Sequence, residues 1–140
     1  MFGWLKRRPA APLEFADNAA AFDYACRHLD NRVLLNAVIP AMVEEEGKRG
    51  VEGERTFLLR LADPQGGRRI WAPTLKEART FPEIGDLVGF RVVRIASDLP
   101  VEIAVIGYIA VGLAPAYVPG RGWRIAASYT PPDLKPELHM

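Results

Sequence analysis

Polar and apolar positions alternate most cleanly between Gly85 and Ile95. Val88, Phe90 and Val92 fall on one side, Gly89, Arg91 and Val93 on the other. Successive side chains of a strand point to opposite faces, so this pattern predicts a strand with one buried face. The Gly85-Asp86 pair before it is a turn signal, and the β-branched content argues against a helix. We read this stretch as the central strand of a small, strongly curved sheet or barrel. The clearest helical spacing lies earlier, over residues 17–30, where Phe22, Ala25, Cys26 and Leu29 follow the i, i+3, i+4, i+7 rule. Asp17 or Asn18 supplies the N-cap, because a short side-chain acceptor meets the free amides of the first turn. Cys26 and Tyr24 then read as packing residues, and so does His28 beside them.

Between these two stretches the pattern predicts three more strands. Residues 32–46 form a long first strand, bent or bulged where Pro40 removes a ladder donor, with a helix before Pro40 as the alternative. Glu44, Glu45 and Glu46 end it as a solvated rim. Residues 56–62 alternate Phe57, Leu59 and Leu61 against Leu58 and Arg60, and Asp63-Pro64-Gln65-Gly66-Gly67 is a hairpin turn: proline pre-sets a negative φ and glycine supplies a positive one. Residues 68–73 return as the partner, and residues 75–79 have room for a short helix. After the central strand come another from Val101 to Ala114, a loop from Pro115 to Gly122, and a last strand from Trp123 to Thr130. Residues 1–13 and 131–140 read as tails around one domain at 14–130.

Length and composition narrow this only a little. A chain of 140 residues with 49% apolar and 25% charged residues fits one globular domain. The net charge of +1 provides no global field to attract nucleic acid or an anionic membrane. Of the 18 cations 14 are arginine, whose planar fork suits phosphate and carboxylate. The lone Cys26 excludes an internal disulfide and a cysteine-based metal cluster, and suits a reducing cytoplasm. The apolar run from Ile103 to Val118 falls short of the ~20 residues a helical membrane span needs and contains Gly107, Gly112 and Pro115. No integral span is therefore expected. The tail carries Phe2, Trp4 and Leu5 next to Lys6, Arg7 and Arg8, a weak hook for a membrane surface or a partner.

Two hairpins share a grammar. Arg68, Arg69 and Trp71 follow the first turn; Arg121, Trp123 and Arg124 surround the last. Aromatic faces flanked by guanidinium groups stack bases and pair phosphates. If both hairpins and Arg91 of the central strand present these groups on one side, they form an oligonucleotide groove; alternation instead turns Trp71 or Trp123 inward. With about five curved strands and Gly85-Asp86-Leu87-Val88-Gly89-Phe90-Arg91-Val92 opening one of them, residues 33–130 resemble the oligonucleotide/oligosaccharide-binding small β-barrels. The helix in front, Ala21-Phe22-Asp23-Tyr24-Ala25-Cys26, is similar to openings of small uncharacterised bacterial proteins. The resemblance implies an α+β, mainly β fold: an N-terminal helix packed on a curved antiparallel barrel of five or six strands.

Enzyme readings find little support. The chain has no phosphate-cradling glycine loop, no Gly-x-Ser-x-Gly elbow and no His-Glu-x-x-His. A carboxylate pair of Asp63 with Asp86 is the one alternative, and turn formation explains both more simply. The expectation is a non-catalytic cytoplasmic binding module without metal or cofactor, with single-stranded nucleic acid as its ligand. The alternative is a protein–protein adaptor using edge strands or apolar residues near Leu99 and Tyr117.

Overall fold

The structure, a computed structural model, describes residues 11–63, 67–99 and 102–129. The tails up to residue 10 and from residue 130, the hairpin tip at 64–66, and Pro100 and Val101 lie outside them. Among the described residues there is one helix, α1 (Asn18–His28), and seven strands. These are β1 (Leu13–Glu14), β2 (Val38–Glu46), β3 (Thr56–Leu61), β4 (Arg69–Pro73), β5 (Leu87–Leu99), β6 (Glu102–Val118) and β7 (Gly122–Ser128). The chain is mainly β, with every named strand pair antiparallel.

The ladder runs β1-β6-β5-β2-β3-β4, and β7 also pairs with β6. The expected closed barrel is corrected here: the sheet curls but does not close. Among the described residues, β4's end is joined to β6 by an isolated parallel bridge from Thr74 to Ile109. Register explains the curl. β5 and β6 slip against each other between Gly89 and Phe90, between Val92 and Arg94, and between Ser97 and Leu99. Each irregularity sharpens the local twist.

Period-two alternation then sorts side chains into two cores. Val88, Phe90 and Val92 of β5 point inside the curl, with Phe57, Leu59 and Leu61 of β3 and Ile39, Ala41 and Val43 of β2. The opposite face carries Leu87, Ala110, Val111 and Leu113, and α1 covers it with Ala21, Phe22 and Ala25. Asp17 caps the helix by accepting the Ala20 amide at 2.8 Å. Leu29 ends it in extended backbone.

Four expectations shift at the edges. β2 starts at Val38, because Leu34 and Leu35 stand exposed in a turn that Asn36 closes at φ 67°. No helix forms near Leu75; a single turn closes there, with the Ala78 amide on the Leu75 carbonyl at 3.0 Å. β6 runs through Pro115 to Val118. Leu13, assigned to the tail, lies in register with Tyr117. No helix among the described residues is long and apolar enough to cross a membrane.

Candidate nucleic-acid interface

The outer face of β2, β3 and β4 is built by cross-strand rows. Glu45, Leu58 and Trp71 form one row, and Met42, Arg60 and Arg69 the next. Trp71 stands 54% exposed in the middle of β4, where an inward partner, Ala72, takes the core position. Its ring lies on Gly47: a Cβ there would come within 2.7 Å of the ring edge. Glycine at the end of β2 thus leaves a flat seat for the indole. The Gly47 amide donates to the Thr56 carbonyl at the start of β3, which fixes the seat.

The arginines around this ring are all engaged. Arg69 donates Nε–H to Glu44 at 2.6 Å, which raises its pKa. Arg55 grips Glu46 through both nitrogens at 2.8 Å. That hydrogen bond holds the Glu46 carboxyl below its ordinary value. Arg55 also lies over the Phe81 ring at 4.5 Å and the Phe57 ring at 5.5 Å. Arg68 pairs at 3.6 Å with the buried carboxylate of Asp63, which also accepts the Gly67 amide. Asp63 therefore shapes the hairpin turn, and Asp86 does likewise by accepting the Glu83 amide at 2.8 Å.

The remaining sequence candidates lie elsewhere. Arg91 is half-buried on β5, in register between Val38 and Tyr108. Trp123 is only 9% exposed and belongs to the core under α1. There it completes an aromatic chain, 5.1 Å from Tyr117 and 6.1 Å from Phe15. Arg121 is exposed in the β6–β7 turn, and Arg124 reaches Glu14 at 3.7 Å. Arg69 and Trp71 thus share the outer face of β4, whereas exposed Arg121 and Arg124 are parted from buried Trp123.

Residues without a sequence signal complete the first group: Leu58 and Gly47 beneath the indole, and Glu44 opposite Arg69. The alternation of residues 56–62 shows Leu58 facing out, but only the β2–β3 register brings it beside Glu45. Between α1 and β2 a cleft of about 390 Å3 is lined by Phe22, Cys26, Met42 and Arg60, with the Arg60 guanidinium over Phe22 at 5.6 Å. Burial pushes the Cys26 thiol up. Among the described residues no group of three or more His, Cys, Asp or Glu gathers to hold a metal ion. No family model matches this chain, and no curated protein or solved structure is detectably similar to it.

Proposed function

We propose that this chain is a non-catalytic binding module that takes single-stranded nucleic acid on the outer face of β3 and β4. The observation that carries the reading is the solvent-exposed Trp71 on its glycine seat, with Arg69 one row away. An indole costs little to order and stacks any base, while guanidinium groups meet the phosphates between bases. Arg69 exchanges Glu44 for a phosphate readily, because exposed ion pairs are worth about 0–1 kcal/mol.

The strand path supports the likeness to the oligonucleotide/oligosaccharide-binding barrels. Three hairpin-linked strands, β2 to β4, are followed by β5 returning beside β2. That order is a Greek key, and a partly open Greek-key barrel using its second and third strands for ligand is the expected form. In this chain those strands are β3 and β4. The balanced charge of the face argues for modest affinity, driven by stacking more than by counterion release. The module acts in the cytoplasm, the compartment that an unpaired Cys26 suits.

Trp71→Ala tests it. Indole fluorescence is titrated with a thymidine oligomer at low and high salt. The substitution should weaken binding by about 1–3 kcal/mol, the worth of one stacked base, or roughly five- to 150-fold. Gly47→Ala should tilt the ring and weaken binding without unfolding the sheet. No quenching by any oligomer, or the same affinity in Trp71→Ala, sinks the proposal. A protein-adaptor reading has one observation of its own: Val93, Ile95 and Ile106 stand exposed where β5 and β6 run on past β2. A salt-independent partner captured by that ribbon, and lost on Ile106→Lys, would favour it.

A further inference from the structure

A second cleft, separate from the Trp71 face, opens where α1 ends and β7 begins. It measures about 320 Å3, and its walls include Leu29, Asp30, Asn31, Asn36, Tyr117 and Trp123. That volume suits a ligand of small-molecule size, and the mix of aromatic wall and a few polar groups is the usual make-up of such a site. No arginine or lysine lines it.

The aromatic wall is held in place. Tyr117 and Trp123 face each other across the β6–β7 ladder, their rings 5.1 Å apart and inclined by 56°. Tyr24 backs Tyr117 at 6.1 Å, and Phe15 backs Trp123 at 6.1 Å. The polar groups are fixed as well. Asn36 occupies the left-handed region at φ 67°, pinned by its amide on the Val92 carbonyl at 2.8 Å. Asn31 spends its carboxamide N–H on the Ala25 carbonyl at 3.3 Å, which leaves its oxygen as an acceptor. Asp30 receives Arg32 Nε at 3.0 and 3.2 Å. That single N–H spans both oxygens on the edge a bidentate donor needs, so such a donor displaces this exposed ion pair. Arg121 stands exposed in the turn beside Gly122, at the rim.

We propose that this cleft binds a guanine nucleotide, with the base on the half-buried Tyr117 ring and beside the largely buried Trp123. Guanine presents two parallel donors, N1–H and the exocyclic N2–H, which match the two oxygens of Asp30. Its O6 accepts from the Asn36 carboxamide, and a phosphate on the ribose reaches the rim at Arg121. Stacking on aromatic rings combined with hydrogen bonds to the Watson–Crick edge is how proteins read an unpaired base. Adenine turns an acceptor, N1, toward the carboxylate and is rejected.

The full-length chain carrying Trp4→Phe and Trp71→Phe leaves Trp123 as the sole indole, and calorimetry on the unmodified chain gives an independent reading. GMP should quench Trp123 saturably and bind at least about tenfold more tightly than AMP, the discrimination expected of one good bidentate base contact. Asp30→Asn should erase that preference, since its amide N–H then opposes the guanine donors. Arg121→Gln should weaken GMP but leave guanosine unchanged. Circular dichroism checks that both variants, altered at exposed positions, keep the fold. No saturable GMP binding up to about 5 mM, the weak end of the affinity scale, overturns the proposal. So does equal binding of GMP and AMP, or a guanine preference that Asp30→Asn leaves intact. The Trp71 face stands or falls separately, because Trp71 is absent from the reporter chain.

Discussion

Gly107→Ala probes how tightly β5 and β6 are pressed together. Gly107 lies in register with Val92, next to the slip that separates Val92 from Arg94. A Cβ added there would sit 1.9 Å from the Arg91 carbonyl oxygen and 2.7 Å from Cζ of Phe90. The first distance falls about 1.5 Å short of the 3.4 Å at which ordinary contact begins. Neither neighbour gives way cheaply: one is backbone in a ladder, and the other is a fully buried ring. The strands must part, in a sheet where neighbours stand about 4.8 Å apart. Overpacking costs roughly 1–3 kcal/mol. Opening the ladder forfeits about two hydrogen bonds at about 1 kcal/mol each. The total is roughly 3–5 kcal/mol, a large part of the about 5–15 kcal/mol that holds a domain folded. Urea unfolding followed by circular dichroism measures it, with the slope checked for constancy. Gly120→Ala is the control. It has nothing within 4 Å but a φ of +82°, and should cost only about 1–2 kcal/mol. If Gly107→Ala loses less than its control, the close approach of β5 and β6 is not as described.

Two further outcomes follow from single residues. Asp17→Ala removes the acceptor for the Ala20 amide and should cost about 1 kcal/mol; an unchanged urea midpoint would mean that the helix start is held by packing alone. Burial, with smaller contributions from Asp86 and Glu83, pushes the Tyr129 phenol up to about 12. A folded value above the unfolded one means that the folded state keeps the proton longer, so the contribution is complete below pH 10 and is lost as pH rises through about 12. The difference in urea midpoint between the natural chain and Tyr129→Phe should therefore change across that window, and a constant difference would contradict the burial of the hydroxyl.

Much of the fold can be read from local patterns because local forces dominate there. Val88, Phe90 and Val92 are buried completely, as their alternation requires. α1 begins at an acceptor side chain and buries Phe22 and Ala25. Pro40 is accommodated inside β2, opposite Gly89 of β5. What local patterns do not contain is long-range register. Leu34 and Leu35 look like strand residues, and the one turn signal there is Asn36, which adopts a positive φ. The seat under Trp71 is equally silent, because Gly47 and Trp71 are distant in sequence and meet only through the β2–β3–β4 ladder.

The fate of the two tryptophans shows why the site is harder to read than the fold. A period of two says that Trp123, Ile125, Ala127 and Tyr129 share a face, yet Trp123 and Tyr129 are buried while Ile125 is 49% exposed. The cause is the β6–β7 register, which shifts between Gly112 and Leu113 and again between Leu113 and Tyr117. Ile109 of β6 faces the core inside the curl, whereas Ala110, Val111 and Leu113 face the core beneath α1. Trp123 thus packs with the helix, and Tyr129 lodges inside with its hydroxyl over Gly112. β4 has no such slip, so simple alternation holds: Ala72 goes in and Trp71 stays out. Two hairpins with the same arginine–tryptophan grammar therefore acquire different chemistry. One leaves an indole exposed on the outer face of the sheet, and the other buries its indole beside a cleft. The distinction follows the β6–β7 register, whose first shift puts an extra residue on β7 and whose second puts extra residues on β6.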